Sequence, residues 1–317
     1  MPLQKVVVVM NERMKQLIEN PKRIFFTLGH YGLLNWISDE KFLKTAYKIR
    51  MKKALNLESP TTYNEKLQWL KLHDRKPIYT QMVDKYEAKR IVADRIGEQY
   101  IIPTLGVWDR FEDIDFEKLP EKFVLKCTHD SGSYMICQNK ESFNYKAAKK
   151  KFDRCLKLSF YWTDRQWPYK DIKPRIIAEE YMEDDATKEL RDYKFFTFNG
   201  EVKALFIATD RGSQTEDTKF DFFDENFNHL PITNGHPNAN PAPEKPLCFE
   251  EMKKLASVLG KGIPQVRVDF YEVNGKVYFG EMTFFHWSGM VPFEPDEWDR
   301  TFGDWIDLEL IDTQDDV

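Results

Sequence analysis

Arg267, Asp269, Glu281 and Thr283 fall within RVDFYEVNGKVYFGEMTF, residues 267–284, where most neighbours are those of a half-buried sheet. Carboxylates on adjacent strands can hold Mg²⁺, which takes one or two protein acids and completes its shell from water and substrate phosphate. Register decides whether the two acids meet. A two-residue Asn274-Gly275 turn with regular pairing sets Asp269 opposite Gly280 and sends Glu281 to the other face. A three-residue loop, 273–275, with Gly275 left-handed in a bulge, changes the parity. It sets Glu272 against Lys276 and gathers Arg267, Asp269, Tyr271, Val277, Phe279, Glu281 and Thr283 on one face. The other face is then apolar, so the spacing predicts this register. Alternation alone is equally compatible with acids on a solvated sheet face.

A metal-bound phosphate also needs cations. The strand-like FVLK delivers Lys126 just before THDSGS, and Ser131-Gly132-Ser133 offers a turn with backbone N–H groups. Taken singly, Lys126 reads equally as an edge-strand guard and the Ser/Gly run as a plain turn. There is no G-x-x-x-x-G-K-[ST] and no G-x-G-x-x-G after a strand, which disfavours P-loop and dinucleotide-binding folds.

These residues must be positioned by a sizeable core. The chain has 317 residues, 42% apolar and 15% aromatic, with a formal charge of −5 that gives no reason to expect a nucleic-acid partner. The first 53 residues are locally basic, eleven Lys/Arg against four Asp/Glu. Cys127, Cys137, Cys155 and Cys248 lack metal spacing and read as reduced, buried residues. VVVVM is too short for a signal peptide, and FFTLGHYGLLNWI is too short and glycine-broken for a membrane span. A cytoplasmic protein is expected, with contact at the inner membrane face as an option for the basic front end.

Residues 1–57 read as a basic helical extension. Thr62 and Glu65 predict a capping box, followed by inward Leu67, Leu70 and Leu72. Residues 83–97 predict one amphipathic helix burying Val83, Tyr86, Ile91, Val92 and Ile96. From Tyr100 onward short strands alternate with a basic helix in FNYKAAKKKFDRCLKLS, a hairpin around Asn199-Gly200, a loop over 231–246 and a helix in CFEEMKKLASVLGKG. The 267–284 hairpin is expected to end the ordered fold. The mixture, lacking a βαβ rhythm, implies α+β layers.

In order along the chain, Lys85 in VDK, Lys126 before a Ser/Gly loop, IIAEEYM, and R-x-D followed by E-x-T resemble the ATP-grasp superfamily of carboxylate–amine ligases. NEKLQWLKLHDR, VLKCTHDSGS, WPYKDIKPRIIAEEYM, DYKFFTFNG and GEMTFFHWSGM resemble the TupA-like ATP-grasp family, over roughly 58–305. The resemblance implies an α+β ATP-grasp fold, with the nucleotide between two subdomains (58–180 and 181–317) beyond the extension. It implies that Lys85 and Lys126 contact the α- and β-phosphates and that Ser131, Gly132 and Ser133 form a mobile loop over them. Glu179, Glu180, Tyr181 and Met182 would hold adenine, and Asp184 or Asp192 the ribose. Asp269 and Glu281 would bind one or two Mg²⁺ ions, and Arg267 would face the transferred phosphoryl group. Thr283 stands where many superfamily members have Asn.

The implied chemistry is ATP-dependent, ADP-forming ligation of a carboxylate to an amine through an acyl phosphate. The acid would be a uronic acid of a bacterial surface polysaccharide or its precursor, the amine an amino acid or small amine. The alternatives are a sugar-nucleotide glycosyltransferase, suggested by Asp113-Ile-Asp115, and a non-catalytic ATP-binding protein. His129 and His286 flank the site as orienting groups, bases or structural residues. Trp162, Trp167 and Tyr169 read as core residues first and as sugar-stacking residues second.

Overall fold

The computed structural model describes residues 21–185, 190–210, 217–309 and 311. VVVVM and the rest of residues 1–20 lie outside these. Two antiparallel sheets organise the chain. The first has β1 (Thr104–Trp108), β2 (Phe123–Cys127), β3 (Tyr134–Cys137) and β4 (Ile176–Glu180) in the order β1-β4-β2-β3. The second has β5 (Asp192–Phe198), β6 (Glu201–Thr209), β7 (Lys219–Asp224), β8 (His229–Leu230), β9 (Val266–Val273) and β10 (Lys276–Thr283), in the order β10-β9-β5-β6-β7-β8. The helices that support them are α1 (Pro21–His30), α2 (Asp39–Met51), α3 (Tyr63–His73), α4 (Pro77–Val83), α5 (Glu87–Ile96), α6 (Tyr145–Cys155), α7 (Tyr161–Asp164), α8 (Phe249–Gly260) and α9 (Glu297–Asp304).

The larger sheet is buried on both faces, which is why DYKFFTF shows no polar alternation. Phe195 packs toward Phe249 of α8 and Phe270, with ring centroids 5.9 and 6.1 Å away. Phe196 points the other way, to Phe206, Phe302 and His286. Under the first face, α8 inserts Phe249, Met252, Leu255, Ala256 and Leu259 at helical spacing. Each such buried side chain contributes about 1.5–3 kcal/mol of apolar transfer. KFDFFD, read as no element from the sequence, forms β7.

Helix α3 starts as its sequence requires: the Thr62 hydroxyl accepts from the Glu65 amide at 3.3 Å, and the Glu65 carboxylate accepts from the Thr62 amide at 3.2 Å. Residues 83–97, by contrast, are not one helix. The Asp84 carboxylate accepts from the Tyr86 and Glu87 amides at 2.8 and 3.3 Å, ending α4 and capping α5. Lys85 therefore sits in the joint, and Tyr86 is 39% exposed beneath the Arg175 guanidinium. The hairpin does not end the fold either, since α9 follows and buries Phe302 against Phe196 and Phe293.

The helices of the basic front end pack onto the rest. Phe42, Leu43, Ala46 and Tyr47 of α2 share a core with Met290, and Arg165, fully buried, lies over the Phe42 ring and donates to the Leu34 carbonyl. Among the described residues, no helix is long and apolar enough to cross a membrane.

Candidate active site

The β9–β10 hairpin brings the acids together by a different route from the predicted loop. The turn has two residues, Asn274 and Gly275, at φ 51° and 71°, so Lys276 faces Val273 and Glu272 faces Val277. The parity is restored by a bulge at Gly280, after which Glu281 pairs with Asp269 and Thr283 with Arg267. A side chain at Gly280 would press on the Asp269 carbonyl at 3.1 Å and the Tyr271 ring at 3.2 Å. Glycine in a strand marks this kind of kink. Val277 and Phe279 consequently turn to the core face, where Phe279 meets Phe270.

Asp269 is fully buried and both its oxygens are engaged. The Arg267 guanidinium donates to them through Nε and Nη2, each at 2.7 Å, and the Lys194 ammonium donates to Oδ2. Arg267 Nη2 also reaches Thr283 Oγ1 at 2.9 Å and Glu281 at 3.4 Å. Its Nη1 donates to His286 Nδ1 at 2.7 Å, and His286 Nε2 donates to the Asn234 amide oxygen at 2.9 Å. Burial, Arg267 and Lys194 all push the His286 pKa well below its ordinary value, so the ring is neutral and serves to orient Arg267. Burial works against ionisation of Asp269, but Arg267 and Lys194 outweigh it and hold the carboxyl below the usual range. Burial opposes the Arg267 charge too and is outweighed by Asp269 and Glu281. The Lys194 pKa is lowered, by burial first, against the attraction of Asp269.

Lys194 was missed from sequence. Its signal is a lone lysine in an aromatic strand, and it pairs directly with Asp269 across β5–β9. Asp192, two residues earlier, pairs with the same ammonium at 3.3 Å, and Asp184 accepts from the Asn274 amide at 2.8 Å, bracing the hairpin turn.

The smaller sheet carries the other predicted cations. Lys126 lies 2.6 Å from one oxygen of Glu179, and Lys89, also missed, lies 2.5 Å from the other. Burial would raise the Glu179 pKa, yet the two lysines carry it down to about 2. Lys85 donates to the Asp130 carbonyl at the start of the Ser/Gly loop, so its contact is with that loop. Within the loop Ser131 and Gly132 are exposed, Gly132 at φ 87°, while Ser133 bonds to Asp130 and Cys155. Glu180 closes β4 and donates its amide to the Pro103 carbonyl at 3.1 Å. Tyr181 and Met182 are half-buried in the passage between the sheets, with the Tyr181 hydroxyl accepting from Gln138 and donating to Glu183, both at 2.9 Å.

A cavity of about 600 Å³ gathers Ser131, Lys194, Arg267, Glu281 and Thr283 on one side. Lys85, Lys126, Asp192 and residues 179–182 do not line it. Of the three aromatics considered for stacking, only Tyr169 reaches it. Trp162 lies under Arg165, and Trp167 is core. His129 bonds through Nε2 to the Cys155 carbonyl, a structural tie. Asp113 and Asp115 belong to an exposed segment after β1 and pair with Arg110 and Lys118 at 2.5 and 2.9 Å, away from the cavity.

The sequence profile described as TupA-like ATPgrasp matches residues 65–307. No curated protein matches the sequence significantly. Among solved structures, D-alanine–D-alanine ligase from Bacillus anthracis is similar at 14% identity and TM-score 0.41, over 79% of this chain and 69% of that one. D-cycloserine synthetase DcsG is similar at 15% identity and TM-score 0.38, over 72% of this chain and 70% of that one. The ATP-grasp ligase PsnB, with its minimal precursor, is similar at 10% identity and TM-score 0.37, but the chain spans only 53% of its length. With the profile covering most of the chain, from α3 through the hairpin to the end of α9, the protein belongs to the TupA-like ATP-grasp family.

Proposed function

We propose that the chain is an ADP-forming ligase that joins a carboxylate to an amine at the expense of ATP. The acid is a uronic acid of a bacterial surface polysaccharide or its precursor, and the amine is an amino acid or small amine. The observation that supports it best is the buried Lys194–Asp269–Arg267 cluster, which opens through Glu281 onto the same cavity as Ser131 of the Ser/Gly loop. A carboxylate is a poor acyl donor because its leaving group would be oxide. Its oxygen attacks the γ-phosphorus, the bond to the β-phosphate oxygen breaks, and ADP leaves with that electron pair. The amine nitrogen attacks the acyl carbon, phosphate departs, and the nitrogen gives a proton to solvent. Positioning and charge neutralisation by Arg267 and Lys194 on this side, and Lys126 on the other, supply the catalysis.

Glu281 is suited to hold Mg²⁺, since its side chain is 39% exposed toward the cavity. Asp269 has cations on both oxygens, so it joins only when Lys194 turns to a phosphate, and Thr283 is held by Arg267. No group of three or more His, Cys, Asp or Glu converges as a metal site among the described residues. A donor set this lean fits a cation that draws most of its shell from phosphate and water, whose charge it shields.

The test is product analysis with sugar acids and amines: ADP and phosphate in equal amounts, released only with a carboxylate present. AMP and pyrophosphate, or transfer from a sugar nucleotide without ATP, would refute it. At the front end, Leu33 and Trp36 are 62% and 81% exposed, and Tyr31 bonds to Arg154 of the basic α6, which supports peripheral contact with an acidic membrane face. Flotation with anionic vesicles tests this; a W36A protein that floats as well as the parent removes it.

A further inference from the structure

Immediately after β10 the backbone does something unusual. Trp287, Ser288 and Gly289 take φ values of 49°, 58° and 60° in succession, and two of these residues carry full side chains. Non-glycine residues adopt this conformation at a cost, and only where their surroundings over-determine it. Here α3 does so. Gln68 Nε2 donates to the Ser288 and Gly289 carbonyls at 2.9 and 2.8 Å. Lys71 Nζ donates to the Ser288 carbonyl at 2.9 Å and its hydroxyl at 2.8 Å, and to the Asp164 carbonyl at 3.1 Å. Both side chains are fully buried, and a Cβ on Gly289 would meet Gln68 Nε2 at 2.4 Å. A buried lysine and a buried glutamine are thus committed to holding one distorted turn.

That turn presents a tryptophan. Trp287 is 40% exposed on the cavity wall, stacked at 6.0 Å and 24° on Phe220, with His236 tilted at 5.8 Å. His236 in turn lies 4.4 Å from Phe220, and the three rings form one aromatic surface. The same cavity is lined by Arg267, Lys194 and Glu281, and by the Arg50–Asp164 ion pair. The residues implied for adenine, 179–182, do not line it, so this aromatic wall lies apart from them. The rest of the lining includes hydrogen-bonding groups from Gln166, Thr218 and Ser288. Aromatic rings, cations and polar groups lining one cavity match a ring that has an apolar C–H face, a rim of hydroxyls and a carboxylate. A cavity of about 600 Å³ is in the size range of small-ligand sites.

We propose that Trp287, backed by Phe220 and His236, is the stacking platform for the pyranose ring of the acid substrate, and that Gln68 and Lys71 are positioning residues that hold it in place. This rests on the ligase assignment and adds where the ring lies and what recognises it.

The experiment compares two six-carbon sugar acids, methyl β-glucuronide as the ring and gluconate as the open chain. Binding of each is measured by calorimetry and by saturation-transfer NMR, alongside Mg-ATP binding. Wild type should bind the ring at least about tenfold more tightly than the chain, the scale of one well-packed apolar contact. W287A should lose that preference while binding gluconate and Mg-ATP as before, and W287F should retain part of it. K71M should weaken ring selectivity in the same direction without changing Mg-ATP affinity, which a purely structural role would not do. A W287A protein that binds Mg-ATP normally and still prefers the ring overturns the platform. So does a wild type that binds Mg-ATP but treats the two acids alike or binds neither. Failure of Mg-ATP to bind would instead refute the ligase assignment, and the ring-against-chain comparison would still decide the platform.

Discussion

The two charged clusters differ in sign. On the smaller sheet, one buried carboxylate, Glu179, lies between two lysines, Lys126 and Lys89. Two cations against one anion leave a net charge of +1. On the larger sheet, Arg267 and Lys194 face Asp269, Glu281 and Asp192, with His286 neutral. Two cations against three anions leave −1. The first cluster is short of negative charge and suits a phosphate; the second is short of positive charge and suits a metal ion. On the proposed function, the first cluster would take phosphate oxygens and the second the cation bound to them.

Breaking the arginine should have the largest effect. R267A removes two hydrogen bonds from a fully buried carboxylate and frees His286 and Thr283, so a loss of about 3–5 kcal/mol in chemical denaturation is expected. R267K, which keeps the charge but not the fork, should fall between it and wild type. Glu281 should behave oppositely. Its side chain opens to the cavity, so E281Q should unfold within about 0.5 kcal/mol of wild type. Turnover should nevertheless fall by about 10²-fold or more, the scale of losing a transition-state partner. An E281Q protein with full turnover would end the division of roles.

The positive cluster can be read by pH. The Glu179 carboxyl is held at about 2, below its ordinary value, so its stabilisation is fully present above about pH 4.5 and disappears as pH falls to about 2. The amount is about 3 kcal/mol, and the gap between wild type and E179Q in denaturant melts should close over that window. A gap that stays constant down to pH 2 would mean the lysines do not hold the acid. The smallest effect is expected at Asp113 and Asp115, whose joint replacement by Asn should leave turnover unchanged; loss of activity there would revive the glycosyltransferase alternative.

Much of the larger cluster was legible because strand alternation and residue type point the same way at Arg267, Asp269 and Glu281. The route was not. A two-residue turn with a later bulge at Gly280 and a three-residue loop with its bulge at Gly275 give the same final parity, and the sequence signal separating them is Gly280 in mid-strand. Lys194, Lys89 and Asn234 were hidden for another reason. Each acquires its role through a partner 52 or more residues away, Asp269, Glu179 and His286 respectively, and local pattern, which marks Lys194 only as a lone lysine in an aromatic strand, does not name such partners. Trp162 and Trp167 are core residues, as the sequence reading favoured, whereas nothing in HWSG marks Trp287 as a residue of the cavity wall. Only the left-handed turn turns Trp287 outward.

The bulge at Gly280 makes the hairpin behave like a two-position gear. Every residue between the Asn274-Gly275 turn and Phe279 is in one phase, and everything from Glu281 onward is advanced by one tooth. Gly280 is the extra tooth: removing it closes the bulge but leaves Glu281 opposite Asp269 and Thr283 opposite Arg267, with the turn still braced by Asp184. Inserting one residue between the turn and Phe279, with the bulge kept, instead sets Glu281 opposite Val268 on the core side. This hairpin therefore tolerates loss of its extra residue, whereas a one-residue insertion silences the acid pair without touching either acid.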